Sequence, residues 1–302
     1  MDASDKMTSK ERVDRALQGA DSDRPPFTLW HHFRLEKFPA ERHAQATLEF
    51  HRKFRTDIVK VMSDYPYPKP EGGIVAMKAE SNPFPEQVRA LEMVRDSLGG
   101  RVPFLETIFN PYNQAQKVFS KPEVQRLRQE QPQLLLTALE VIAKSEVSHV
   151  RRALAIGAAG IFLAIANADA GVLTREEYAR FSEPFDRMVL EAASAARFNV
   201  LHLHGDKVYA GLFWKGWPVT AISYSPHTTG ISVAQARSAF PGVLMCGIDE
   251  VSFRRLSEAE IQRQWHAAVQ ATGKKFILAP GCSVPDNSTD EELVRLPRAL
   301  GV

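Results

Sequence analysis

Two histidines one residue apart, His202 and His204, close the apolar stretch Asn199-Val200-Leu201-His202-Leu203-His204 and are followed at once by Gly205. In a β-strand, alternate side chains share a face, with roughly 7 Å between their Cα atoms. If Val200 faces inward, both imidazoles do too, and they can close on one metal ion. The alternative is a pair of ordinary polar residues at a strand end. Cys282, behind Pro280-Gly281, is a third candidate ligand, set too far along the chain for a zinc finger. Three ligands of nitrogen and sulfur type leave one coordination position open, the form of a catalytic zinc site. Such a site can acidify a water or a thiol, or polarise an oxygen. Cys282 also reads as a small buried residue beside a turn. Cys246 lies within an apolar run and reads as core.

These residues need a scaffold that brings distant strand ends together. Strand-like stretches fall at about 26–31, 57–63, 102–108, 161–166, 199–204, 221–225, 243–247 and 276–280, and helical sequence separates almost every pair. That alternation implies parallel strands with crossover helices. Eight such units in 302 residues predict a single α/β domain over 1–302, a (β/α)8 TIM-type barrel with an N-terminal helical extension. No Gly-x-Gly-x-x-Gly turn follows any strand, which argues against a doubly wound sheet. Thr8 with Glu11, Thr174 with Glu177 and Ser288 with Glu291 have capping-box spacing and mark helix starts. The proline- and glycine-rich stretch from Tyr65 to Gly73 reads as loop.

In such barrels the active site lies at the C-terminal mouths of the strands. The mouths here carry His31 and His32, Asp64, Asn110, Asn167, His202 and His204, His227, Cys246 with Asp249, and Cys282. Both cysteines and five of the nine histidines fall at these ends, whereas chance placement would scatter them. Asp64 and His227 are the candidate catalytic acid–base groups. His31, His32, Asn110, Asn167 and Asp249 are candidates for binding substrate. The competing readings are a helix cap for Asp64 and a solvated loop residue for His227.

The composition is that of a globular domain, 44% apolar and 25% charged. A net charge of +2 is too small to imply a nucleic-acid or membrane partner, and no apolar run approaches a membrane span. Two cysteines do not make a disulfide framework. The opening Met1-Asp2-Ala3-Ser4-Asp5-Lys6 lacks the order of a signal peptide. The expected location is the cytoplasm.

Along nearly its whole length the chain resembles the uroporphyrinogen decarboxylase superfamily. The resemblance is carried by Glu11-Arg12-Val13 through Asp23-Arg24-Pro25-Pro26, Asp57-Ile58-Val59-Lys60-Val61-Met62, Gly160-Ile161-Phe162, Thr174-Arg175-Glu176-Glu177-Tyr178 with Pro184-Phe185-Asp186, Gly247-Ile248-Asp249 and Ala279-Pro280-Gly281-Cys282, in that order. The true decarboxylase is metal-free and follows its first strand with Met-Arg-Gln-Ala-Gly-Arg. Here the stretch is Trp30-His31-His32-Phe33-Arg34-Leu35, and both arginines are missing. Asp64 matches the decarboxylase aspartate, but an aspartate without the arginine clamp leaves the repulsion of a polycarboxylate unbalanced.

The second branch of the superfamily is the zinc-dependent methyl- and alkyltransferases, with His-x-Cys followed much later by Cys. His202 takes the histidine place, Cys282 the second cysteine, and His204 replaces the first. The resemblance therefore implies Zn2+, or another divalent metal, and alkyl transfer to a thiol or corrinoid acceptor. The implied partners are a small-molecule substrate with a thiol cosubstrate or a corrinoid protein. Two imidazoles and one thiolate leave a dication with charge +1, where one imidazole and two thiolates leave it neutral. That difference favours acidifying water and blunts a bound thiolate. Metal-assisted hydrolysis or lyase chemistry, decarboxylation of a porphyrinogen-like or other carboxylate, and an inactive corrinoid- or metal-binding partner are the alternatives.

Overall fold

The computed structural model describes residues 7–302; the opening stretch read above for a leader lies outside them. Seven parallel strands pair strictly in sequence order: β1 (Val59–Val61), β2 (Phe104–Phe109), β3 (Gly160–Ile165), β4 (Val200–Leu203), β5 (Ala221–Tyr224), β6 (Val243–Ile248) and β7 (Phe276–Pro280). Seven of the eight expected strands are therefore present. The sheet is curled. Ile58 and Met62, flanking β1, share one buried apolar cluster with Leu105, Phe162, Val200, Met245 and Ile277, so the edge strands face each other across a common interior.

The expected first strand, 26–31, is corrected. It makes a single parallel bridge, Phe27 to Leu278, because Pro25 and Pro26 have no N–H to give to a ladder. Its backbone is still tied to both sheet edges. Leu278 N–H donates to Pro26 O and Thr28 N–H to Leu278 O, while Asp57 N–H donates to Phe27 O. Thr28 Oγ1 donates to Ile58 O at 2.9 Å.

Helices cover the outer face. The N-terminal helix Ser9–Gln18 starts at the expected Thr8–Glu11 capping box and stops at Gly19 in the left-handed conformation. Its Val13 and Ala16 pack into the interior cluster from below. The Thr174–Glu177 capping box is formed as well. The third is shifted by one residue: Thr289 and Glu292, not Ser288 and Glu291, cap Asp290–Leu293, since the overlapping pair has the same spacing and puts Leu293 inward. Between β1 and the helix Pro85–Leu98 the chain forms only a short 3-10 turn, Ile74–Ala76. Among the described residues no helix is long and apolar enough to cross a membrane.

Asp57 locks the N-terminal helix to the sheet. Fully buried, it accepts from Arg12 Nη1 at 3.0 Å, from Arg24 Nη1 at 2.5 Å and from Phe27 N–H at 3.1 Å. Arg12 also grips Asp23. The Arg12, Asp23, Arg24 and Asp57 positions that carried the family resemblance thus hold the fold at the end of the sheet away from the candidate site. Asp57→Ala, which strands buried guanidinium charge, is expected to lower the unfolding free energy by about 3–5 kcal/mol in urea denaturation. A loss below about 1 kcal/mol, the value of an exposed pair, would contradict this role.

Candidate metal centre

β4 presents its side chains with the strand period of two. Val200 lies in the interior cluster, and His202, next along that face, is buried and stacked on Phe162, with ring centroids 5.1 Å apart at 29°. Across the ladder His202 pairs with Ser223 of β5, and its Nδ1 lies 3.1 Å from Ser223 Oγ. That contact occupies Nδ1 and leaves Nε2 for the interior, the kind of outer contact that fixes a ligand histidine's tautomer.

The strand ends one residue later, but His204 N–H still donates to Ile165 O, which keeps its side chain on the same face. Gly205 then turns the chain at φ +129, and a Cβ there would meet Asp169 Oδ2 at 2.4 Å. Asp169 braces the turn by accepting from Gly171 N–H and Lys207 N–H, both at 2.7 Å.

On the facing side, β7 ends at Pro280, and Gly281 N–H donates to Ile248 O. A Cβ at Gly281 would come within 2.6 Å of both Ser225 and Glu250, so only glycine brings the next residue this far over the mouth. That residue is Cys282. Its Sγ lies 3.3 Å from His204 Nδ1. One donor atom each from His202, His204 and Cys282 all lie within 4.8 Å of one another. Bonds of about 2.0–2.1 Å to nitrogen and about 2.3 Å to sulfur at a tetrahedral angle would hold N and S about 3.5 Å apart. The donor set and its spacing fit a zinc-sized cation.

Electrostatics point the same way. Burial disfavours the Cys282 thiolate, but hydrogen bonds and charge from the two imidazoles outweigh it and pull the thiol down to about 4. The hydrogen bond to that sulfur raises the His204 imidazole.

The three residues lie on a cavity of about 470 Å3 whose walls also include His32, Asp64, Lys60 and Lys117. His32 Nδ1 and Asp64 Oδ1 pair at 2.9 Å. Burial works to raise the Asp64 carboxyl, and His32 reverses it into a net lowering. Among the described residues Asp64 Oδ2 has no hydrogen-bond partner.

The other expected site residues are elsewhere. His31 turns away and packs against Phe33 and Phe50, because the backbone there is extended and neighbours point oppositely. Asn110 and Asn167 belong to a buried polar knot. Asn110 Nδ2 contacts Asn167 Oδ1 at 2.7 Å, Ser182 Oγ at 3.0 Å and Asp186 Oδ1 at 2.9 Å. There burial brings the Asp186 carboxyl up to about 7. His227 is exposed on the short helix Pro226–Thr229, with Nε2 3.4 Å from Gly247 O. Asp249 Oδ1 accepts from Val251 and Ser252 N–H and closes a turn. Cys246 is core, as read, and burial pushes its thiol up to about 12. Sequence reasoning missed Lys60. The signal was there: a lysine alternating with Ile58 and Met62 on the inward face of an otherwise apolar strand.

The sequence model of the uroporphyrinogen decarboxylase (URO-D) family matches residues 74–299. No curated protein matches the sequence. Among solved structures, a methyltransferase from Methanosarcina mazei superposes with a TM-score of 0.80 at 17% identity, covering 97% of this chain and 98% of that one. A B12-independent methionine synthase from Shewanella sp. W3-18-1, in complex with selenomethionine, superposes with a TM-score of 0.61 at 10% identity, covering 91% and 93%. At these identities the likeness is one of fold.

In metal-free protein, Cys282 is expected to react with iodoacetamide at a nearly constant thiolate-limited rate until the pH falls through about 4, since only the ionised sulfur is nucleophilic. His204→Ala should move that fall to higher pH. Peptide-mapped alkylation rates check it, and an unchanged profile in the variant would remove His204 from the sulfur's environment.

Proposed function

The chain belongs to the uroporphyrinogen decarboxylase family, and on that footing we propose that it is a metal-dependent methyl- or alkyltransferase acting on a small thiol. The site is assigned to the mouth of a TIM-type barrel formed as one domain over 1–302, with the Pro26–Thr28 segment standing in for the first strand. The observation that carries the reading is the approach of the His202, His204 and Cys282 donor atoms to within 4.8 Å on the wall of an open cavity. His202 through Nε2, His204 through Nδ1 and Cys282 through Sγ would hold one Zn2+ or similar divalent ion. Bound there, the ion would supply positive charge that favours the thiolate form of a thiol cosubstrate.

The residues around it do the rest. The Ser223 contact at His202 Nδ1 orients the ring so that Nε2 would ligate, and the Gly205 and Gly281 turns fix the reach of the two loops. Asp64, with one oxygen on His32 and the other unpartnered, is placed to accept a hydrogen bond from substrate or to take up a thiol proton through a water. Trp30, Phe109 and Phe162 form an apolar part of the wall against which a small alkyl group can pack. The alkyl donor is a small activated molecule or a methyl-corrinoid carried by a partner protein. Porphyrinogen decarboxylation is the less favoured reading: among the described residues Arg34 is the one arginine on this wall, exposed and paired to Asp286 at 2.6 Å, and Lys60 and Lys117 are single point charges rather than a guanidinium clamp. Hydrolysis or lyase chemistry on a small molecule is the second reading. It is favoured by His204 standing where a thiolate would make the centre neutral.

Purified protein is expected to hold one zinc per chain by elemental analysis, with the metal lost in His202→Ala and Cys282→Ala. Ser223→Ala should weaken metal affinity by about 10–100-fold, the effect of removing an orienting partner. In cobalt-substituted protein, adding 2-mercaptoethanol should intensify the sulfur-to-metal absorption bands. Full metal loading with no spectral response to thiol would leave the hydrolase reading in place of alkyl transfer.

A further inference from the structure

Lys60 is the least expected group on the cavity wall. It sits on β1 between the inward-facing Ile58 and Met62, with only 6% of its surface exposed. Its Nζ lies 2.8 Å from Met62 Sδ, 4.5 Å from the Phe162 ring centroid and 5.2 Å from that of Trp30. A thioether and two rings carry no countercharge. The anionic groups whose fields reach Lys60 are Cys282, Asp64 and Glu106, and they face His204, His32 and His149 instead. Burial in such a box favours the uncharged amine, and it pulls the ammonium down to about 7. An uncharged lysine in an apolar setting is a nucleophile.

Two more polar groups on this wall lack a partner among the described residues. Thr107 faces inward on β2 between Leu105 and Phe109, is 1% exposed, and its Oγ1 makes no hydrogen bond. Lys60 stands opposite Leu105 in the parallel ladder, so Thr107 lies one inward-facing step nearer the mouth. Asp64 gives Oδ1 to His32 and leaves Oδ2 unpartnered. A buried hydroxyl and a buried carboxylate oxygen are costly until something completes them. One cavity is thus lined by a nucleophile, a hydroxyl donor and a proton carrier.

We propose that Lys60 forms a covalent imine with a small aldehyde or ketone taken into this cavity, with Thr107 Oγ1 donating to the carbonyl oxygen and Asp64 Oδ2 carrying the proton. The Nζ lone pair attacks the carbonyl carbon, the C–N bond forms, and the π pair of the C=O bond moves to oxygen. Asp64 passes a proton from the nitrogen to that oxygen. The C–O bond of the carbinolamine then breaks with uptake of one proton from solvent, and water leaves. Amine, carbonyl compound and one proton become a protonated imine and water, and nothing is oxidised or reduced. The positive nitrogen draws electrons from the neighbouring carbon and weakens the bonds there, which is lyase chemistry that needs no metal. This activity goes beyond alkyl transfer and uses none of the three candidate metal ligands.

Trapping with sodium cyanoborohydride and the neutral probe propionaldehyde tests it, near neutral pH, on the protein as purified and with added zinc. Reduction turns the imine into a stable secondary amine that peptide mass mapping locates. Lys60 is expected to be labelled about tenfold or more faster than the exposed Lys53 and Lys274. Thr107→Val, which keeps the side-chain shape, and Asp64→Asn should each slow labelling of Lys60 by about tenfold or more and leave that of Lys53 and Lys274 unchanged. Either variant serves if the other does not fold. Labelling of Lys60 no faster than that of the exposed lysines, with and without zinc, overturns the amine site and leaves the metal reading standing. Fast labelling that neither variant slows also overturns it, because the amine then reacts without help from the wall. Fast labelling that a variant slows, in protein that binds no zinc, upholds the amine site and overturns the metal reading.

Discussion

The candidate centre exists only because the sheet curls. β4 and β7 are three strand spacings apart, and in a flat sheet of about 4.8 Å per strand their ends would be about 14 Å from each other. No side chain of cysteine or histidine length shares a metal across that gap and keeps its geometry. Curling the sheet until its edge strands face one another brings Cys282 to 3.3 Å from His204. The groups that maintain the curl are therefore part of the site's physics, although they lie far from it. They are the Asp57 ion cluster, the backbone of Pro26–Thr28 between the two edges, and the interior packing of Leu105, Phe162, Val200 and Ile277.

Within that frame, two glycines convert strand ends into ligand-bearing loops. Gly205 permits the turn that follows His204 against Asp169, and Gly281 lets the chain pass close to Ser225 and Glu250 before Cys282. The balance of charge then does more than the geometry alone. Two imidazoles keep the Cys282 sulfur ionised despite its burial, while Asp64 and Glu106 are committed to His32 and His149. Lys60, which has no carboxylate partner among the described residues, lies over the Phe162 ring that also stacks on His202.

Much of this was legible in the residues. The alternation of apolar runs with helical sequence located seven strands, and the period of two placed His202 and His204 on one face. Cys282 followed from its position after a Pro-Gly turn. The first strand was not legible as an exception, because Phe27-Thr28-Leu29-Trp30 has strand composition and only the prolines before it limit its ladder. Asn110, Asn167 and Asp249 do stand at strand ends, but a strand end also needs its backbone capped. Those side chains serve neighbouring backbone and polar groups, a competition that composition cannot reveal. His31 and His32 were indistinguishable until the backbone fixed which of them faces inward. Lys60 was overlooked because an inward lysine violates the expectation for a core strand, and that violation is the signal.

The claim on which the rest depends is that two imidazoles and one thiolate grip a single cation at this mouth. X-ray absorption at the zinc edge of the metal-loaded protein tests it most directly. The account requires two nitrogen scatterers at about 2.0–2.1 Å and one sulfur at about 2.3 Å from the protein, with the sulfur shell disappearing in Cys282→Ala. A first shell of nitrogen and oxygen alone, unchanged by that substitution, would contradict it.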